Sequence, residues 1–236
     1  MKKSFLLIAC SAIACFQANA QLITFGGELG VNFSNLKTRE NGVNSTSESR
    51  VGLKLGGVMD IAFQSNFSIQ PGLFYSVKGA KEDYIASSQT ESGVITTHEI
   101  KNDFRLNYLE IPINFQYKFG PHKYGQLFVN AGPYFAFALG GKVANDDITI
   151  VDRPNGVVTV TDRATKYNLR IGNNAATDDV KKGDMGINLG LGYQFSGGIF
   201  IRGNFGIGVI NIMPGGDANN FMRNDNFALS IGYLFL

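Results

Sequence analysis

Apolar and small or polar residues alternate with period two along most of the chain. Phe227, Leu229, Ile231, Tyr233 and Phe235 alternate with Ala228, Ser230, Gly232 and Leu234. Met185, Ile187, Leu189, Leu191, Tyr193 and Phe195 alternate with Gly186, Asn188, Gly190, Gly192 and Gln194, and 199–209 continues in the same way. Successive side chains of a strand face opposite sides, so each segment has one aliphatic and aromatic face and one small or polar face. The same parity recurs over 22–34, 51–63, 67–78, 104–119 and 126–139. Eight strands are therefore predicted, each near the roughly 9–11 residues that cross a bilayer at a tilt.

The minor face is mostly Gly, Ala, Ser and Asn. Such residues suit the narrow interior of a small barrel, and the broad Phe, Ile, Leu and Tyr face then meets lipid. Closure satisfies every backbone polar group without leaving an edge. The connections agree: 64–66, 120–125 and 196–198 are short, whereas 35–50, 79–103, 140–184 and 210–224 are long. Short periplasmic turns alternating with long extracellular loops predict an all-β, eight-stranded antiparallel up-and-down transmembrane β-barrel. Pro71, Pro112 and Pro133 fall inside strands, where each removes a ladder hydrogen bond. Faltering alternation between Arg105 and Leu109 suggests a bulge near Tyr108. Pro154-Asn155-Gly156 predicts a hairpin between 148–151 and 157–161, and 94–100 reads as an upward extension of the strand at 104–119.

The first twenty residues differ from the rest. Lys2 and Lys3 precede an apolar stretch from Phe5 to Phe16, and Ala18-Asn19-Ala20 has the form of a cleavage site. A signal peptide over 1–20 and a barrel domain over 21–236 follow. Cleavage before Cys10, after the lipobox-like Leu7-Ile8-Ala9, competes with this reading. Both Cys lie in the leader, so the mature chain would carry no thiol chemistry. The whole chain has net charge +2, and losing Lys2 and Lys3 balances it, which argues against a nucleic-acid partner.

Candidate chemistry is sparse. His98 falls in a surface loop and His122 in a periplasmic turn, so they cannot share a site. A rim enzyme would have to use His98, with Asp83 or Asp103 nearby in sequence. Asp146, Asp147, Asp152, Asp162, Asp178 and Asp179 could attract calcium, but their spacing matches no calcium loop and cations are interleaved. Gly190/Gly192 and Gly206/Gly208 lie two apart within strands, outside the strand–turn–helix setting of a phosphate loop. No metal or cofactor is expected. By parity, Glu28, Lys54, Asp60, Lys78, Glu110, Lys118, Asp184 and Arg202 point inward. Four acids and four bases in a narrow lumen favour an internal paired network over a conducting path. Arg202 is expected to bridge Glu28 or Glu110.

The segments Ile69-Gln70-Pro71-Gly72-Leu73-Phe74-Tyr75-Ser76-Val77-Lys78-Gly79 and Tyr108-Leu109-Glu110-Ile111-Pro112-Ile113 resemble signatures of the PorT-like outer-membrane β-barrel family. Gly190-Leu191-Gly192-Tyr193 and the ending 229–236 fit too, so the resemblance covers nearly the whole mature chain. It implies a small barrel in the outer membrane of a Gram-negative cell. Gly232, Tyr233, Phe235 and Leu236 look like the terminal signal read by the barrel-assembly machinery. The name-giving member is associated with secretion, a role the barrel motifs do not themselves specify. The function expected is non-enzymatic, structural or partner-binding through the surface loops, as in adhesion, surface recognition or a secretion accessory. A narrow solute channel is the alternative, and a His98 rim enzyme the third. Outer-membrane lipid, the assembly machinery and a surface or secretion-complex protein are the expected partners.

Overall fold

A computed structural model describes residues 22–64 and 66–235. The leader at 1–20 and Leu236 of the terminal signal lie outside the described residues. Ten strands follow in order: β1 (Leu22–Glu40), β2 (Val43–Thr46), β3 (Glu48–Ala62), β4 (Phe67–Gln89), β5 (Ile95–Phe119), β6 (Gln126–Asp152), β7 (Val158–Asn168), β8 (Gly183–Gln194), β9 (Ile199–Gly208) and β10 (Phe221–Leu234). Eight of them form a ring in the order β1-β3-β4-β5-β6-β8-β9-β10, closed by β10 against β1. Every pairing in the ring is antiparallel. The remaining two, β2 and β7, form hairpins with the upper parts of β1 and β6.

Alternation decides the faces. Leu29, Val31 and Phe33 of β1 are exposed, whereas Glu28, Asn32 and Ser34, which alternate with them, are buried. This inversion of a soluble core is what a lipid-facing wall requires. Aromatic pairs gather at the short-turn end, where Phe67–Tyr117, Tyr117–Phe119, Tyr193–Phe195 and Tyr233–Phe235 meet edge to face. They form an interfacial girdle.

The prolines leave the register intact. Pro71 faces Ile113 and Phe74 faces Glu110, so β4 and β5 keep step across the gap. The bulge lies opposite Tyr108 rather than on its own strand. Asn107 faces Gly140 and Tyr108 faces Ala138, which leaves Leu139 of β6 as the extra residue. Alternation falters near Tyr108 for a different reason: Leu106 and Tyr108 are large apolar residues that point inward.

Within the long connection at 79–103, the extension expected over 94–100 is present from Ile95, and most of the remainder is strand as well. β4 and β5 stay paired from Gly79–Arg105 to Gln89–Ile95, leaving only the tip unpaired. β6 matches β5 up to Asp152, and β7 returns beside it down to Asn168. The ladder continues because these four strands satisfy one another above the membrane. A 27-residue β6 is about 90 Å long at ~3.4 Å per residue. Its tilted passage through an apolar band about 25 Å tall uses under half of that.

Candidate functional site

The lumen is filled in layers. At the short-turn end, Lys118 Nζ lies 2.6 Å from an Asp60 carboxylate oxygen. Above it, Val58, Phe74, Phe128, Phe200 and Leu234 form an apolar layer. Arg202 rests on this layer, its guanidinium carbon 5.3 Å from the Phe128 ring centre and 5.0 Å from that of Phe200. Its Nη1 is 3.3 Å from Glu28 Oε2, and Nη2 donates to Gln70. Ser230 donates to the other Glu28 oxygen at 2.7 Å.

Toward the outer end, Glu110 lies between two lysines, 2.7 Å from Lys78 Nζ and 3.7 Å from Lys54 Nζ. Lys54 sits over the Phe74 ring at 4.4 Å and Lys78 over the Tyr134 ring at 4.2 Å. Asp184 has no cation within ion-pair distance among the described residues. It accepts instead from Asn224 Nδ2 at 3.0 Å, and that amide also donates to the Tyr108 hydroxyl. Aromatic faces beside cations lessen the cost of enclosing them. Glycines make room for those rings: a Cβ on Gly192 would meet Phe128 at 2.2 Å, and one on Gly232 would meet Phe200 at 2.1 Å.

Loops close the outer mouth. Val180 and Ile212, from the segments after β7 and β9, are enclosed with Leu36, Leu106, Tyr108 and Tyr134 in a second apolar cluster. Backbone bonds stitch the cap together, Lys181 N–H to Ile212 O at 2.8 Å and Ile212 N–H to Met222 O at 2.8 Å. Arg170 anchors its margin against Asp179, at 3.1 Å through Nη2 and 2.8 Å through its backbone N–H. These hydrogen bonds hold the Asp179 carboxyl below the usual carboxylate range.

The sequence-marked residues thus fall into separate groups: Asp60 with Lys118, Glu28 with Arg202, Lys54 and Lys78 with Glu110, and Asp184 with Asn224. Arg202 meets Glu28 and not Glu110, whose oxygens the two lysines hold. Gly232 faces inward under Phe200, while Tyr233 and Phe235 face outward with rings 5.4 Å apart. Sequence reasoning missed the ring faces around Arg202 and the lysines, although the even parity of Phe74, Phe128, Tyr134 and Phe200 was available as a signal. Nothing local marks Val180 or Ile212 as a plug.

His98 stands on the extension, not near Asp83 or Asp103. Its Nδ1 is 3.2 Å from Thr149 Oγ1 and 3.5 Å from Asp147 Oδ1. Hydroxyl and carboxylate thus share one ring nitrogen, whereas a relay needs one on each. Asp83 faces Lys101, and Asp103 holds Arg50 at 2.5 Å. The six loop aspartates are dispersed along β6, β7 and the cap, and no group of three or more potential metal ligands occurs among the described residues.

A closed ring with lipid-facing alternation, a girdle and a filled lumen agrees with the comparison with known families. Residues 17–213 match the family described as "Outer membrane protein beta-barrel domain". The chain belongs to this family. No curated protein matches it. Among solved structures it is similar to Ail, the attachment invasion locus protein of Yersinia pestis, at 11% identity over 90% of this chain and 99% of that one, with a TM-score of 0.37. An outer membrane channel from Pseudomonas putida F1 matches at 7% identity over 93% and 98%, with a TM-score of 0.29. The translocator domain of autotransporter NalP from Neisseria meningitidis matches at 10% over 98% and 95%, with a TM-score of 0.26. The outer-membrane barrel encloses two apolar clusters and buried ion pairs within its lumen.

Proposed function

We propose that this outer-membrane barrel is a non-enzymatic surface protein that binds a protein partner through the sheet formed by the upper parts of β4, β5, β6 and β7. The observation that carries this reading is a contrast. The lumen-facing side chains are buried in two apolar clusters and the ion pairs between them, whereas β7 is exposed along its whole length on both faces. Leu169 N–H bonds to Gly141 O and Arg153 N–H to Val157 O, so the odd-numbered residues of β7 turn their backbone groups toward β6. Val158, Val160, Asp162, Ala164, Lys166 and Asn168 then turn theirs outward, without backbone partners among the described residues. Such an edge accepts an extended segment as an added strand.

The finer assignments belong to the same proposal. The chain is a PorT-like member, on the strength of its 69–79 and 108–113 segments, and it is exported with loss of residues 1–20. Its partner is a surface or secretion-complex protein, and the barrel-assembly machinery reads its C-terminal residues. The test is capture from native outer membranes with tagged protein. Val160→Pro/Ala164→Pro removes two outward N–H groups and leaves the bonds to β6 in place. A partner held by the wild type and lost by this variant supports strand addition; a partner held equally by both sinks it.

A further inference from the structure

We infer that the outer face of β1 and β10 carries a binding site for the phosphate of an outer-leaflet glycolipid of the lipid A type. Lipid-facing side chains on these paired strands run in rows. Phe33 faces Phe227, with rings 6.4 Å apart, and is the last apolar row. Above it come Asn35 opposite Asp225, Lys37 opposite Arg223, and Arg39 opposite Phe221. Four residues of tilted strand separate Phe33 from Lys37, a rise of about 10 Å. That is headgroup level, directly above a strip that acyl chains would cover.

Two of the three cations share one ring, and the third, Lys37, stands opposite Arg223. The guanidinium carbons of Arg39 and Arg223 lie 5.0 and 4.5 Å from the centre of Phe221. Arg39 spends Nε on Asn44 and Nη1 on the Ala218 carbonyl, which leaves Nη2 free. Arg223 makes no ion pair among the described residues, and its enclosed Nε has no hydrogen-bond partner. Asp225, the carboxylate of these rows, is sunk into the wall, held by Lys37 at 2.5 Å and by the Gly208 N–H at 3.2 Å. A tetrahedral dianion with three acceptor oxygens matches this set of forked donors.

The two ends of the barrel differ. At the short-turn end, lipid-facing positions of the described strands are aromatic or aliphatic, with no Lys or Arg. At the outer end a second pair, Arg105 opposite Lys142, lies beyond the Leu109–Phe137 row on the far side of the ring, without an aromatic between them. The bias places positive charge beside the leaflet whose lipid carries phosphate on sugar. A free phosphate would not need the apolar strip below, so the lipid is the ligand that uses the whole surface.

The test uses the full-length barrel in phosphatidylcholine nanodiscs doped with diphosphoryl lipid A, counting retained lipid A by native mass spectrometry. Lys37→Gln/Arg39→Gln/Arg223→Gln should weaken retention about a hundred-fold, at roughly five-fold per cation. Arg223→Gln alone supplies a second variant should the triple fail to fold, with an expected loss of about five-fold. Arg105→Gln/Lys142→Gln should change retention less than the triple, and inorganic phosphate should not displace the lipid. Equal retention of dephosphorylated lipid A, unchanged retention by Arg223→Gln, an equal loss from the Arg105/Lys142 variant, or displacement by inorganic phosphate would overturn the assignment.

Discussion

Lys78 Nζ and Glu110 Oε2 meet at 2.7 Å inside the barrel, each side chain almost wholly enclosed. The two residues come from separate segments, 69–79 and 108–113, which run beside each other in β4 and β5. The local strength of those segments therefore reflects a lumen contact as much as a strand pattern. Gly79 ends the first of them at a φ of +146°, where a side chain would strike the Phe104 carbonyl oxygen at 1.9 Å. Its N–H accepts no alternative geometry cheaply, because it donates to Ser34 Oγ at 2.8 Å.

Removing Glu110 strands two enclosed ammonium groups, since Lys54 also relies on it. Glu110→Gln should cost about 3–5 kcal/mol, the usual penalty for orphaning a buried charge. Lys54→Met/Lys78→Met/Glu110→Met removes all three charges and should recover most of that loss. Urea midpoints in lipid vesicles measure both. A Glu110→Gln barrel as stable as the wild type would show that water, not the protein, solvates these groups.

Gly232 and Phe200 test the filling of the lower lumen. A methyl at Gly232 needs the space held by the Phe200 ring, so Gly232→Ala should destabilise by about 1–3 kcal/mol, as overpacking does. Adding Phe200→Leu frees that space and should return part of the loss. Independent, additive effects in the same vesicle assay would refute the contact.

The cap can be loosened without opening the barrel. Ile212 is fully enclosed, and Ile212→Ala should cost about 2–5 kcal/mol within its cluster. Hydrogen exchange should quicken across 169–182. Conductance in planar bilayers should stay at zero for the wild type and for this variant, because the Lys–Glu and Arg202–Glu28 layers lie beneath the cap. Stepwise conductance of the wild type would restore the channel reading.

Acid should loosen the cap margin. Arg170 holds the Asp179 carboxyl below its ordinary value, so the folded pKa lies under the unfolded one of about 3.9. The contact contributes fully above that unfolded value and is lost as pH falls through the folded one. Carboxyl chemical shifts in a barrel labelled at aspartate should show Asp179 titrating below an exposed aspartate. Arg170→Gln should bring it part of the way back to the ordinary range, because the backbone N–H of residue 170 still donates to the carboxylate. Coincident titration in the wild type would exclude the contact.

Period-two alternation and the spacing of short and long connections made the ring of eight strands legible, because a closed membrane wall forces lipid-facing and lumen-facing side chains to alternate. Parity likewise identified the inward position of each lumen charge. Pairing was harder to read. Arg202 and Glu28 are 174 positions apart, and only ring closure through β10 and β1 brings them together. The 79–103 segment showed its strand at 94–100 but concealed the one at 79–89, because above the membrane both faces of a sheet meet water and a one-sided apolar pattern is no longer required.

The sequence by itself determined that this chain crosses an outer membrane as a small β-barrel, since lipid on one side and a narrow lumen on the other write a repeating signature into every strand. Tertiary structure alone decided that Val180 and Ile212 close over the lumen, and that Arg39 and Arg223 share the ring of Phe221. These arrangements arise where distant strands and returning loops meet, and contacts between such segments leave no period in the chain.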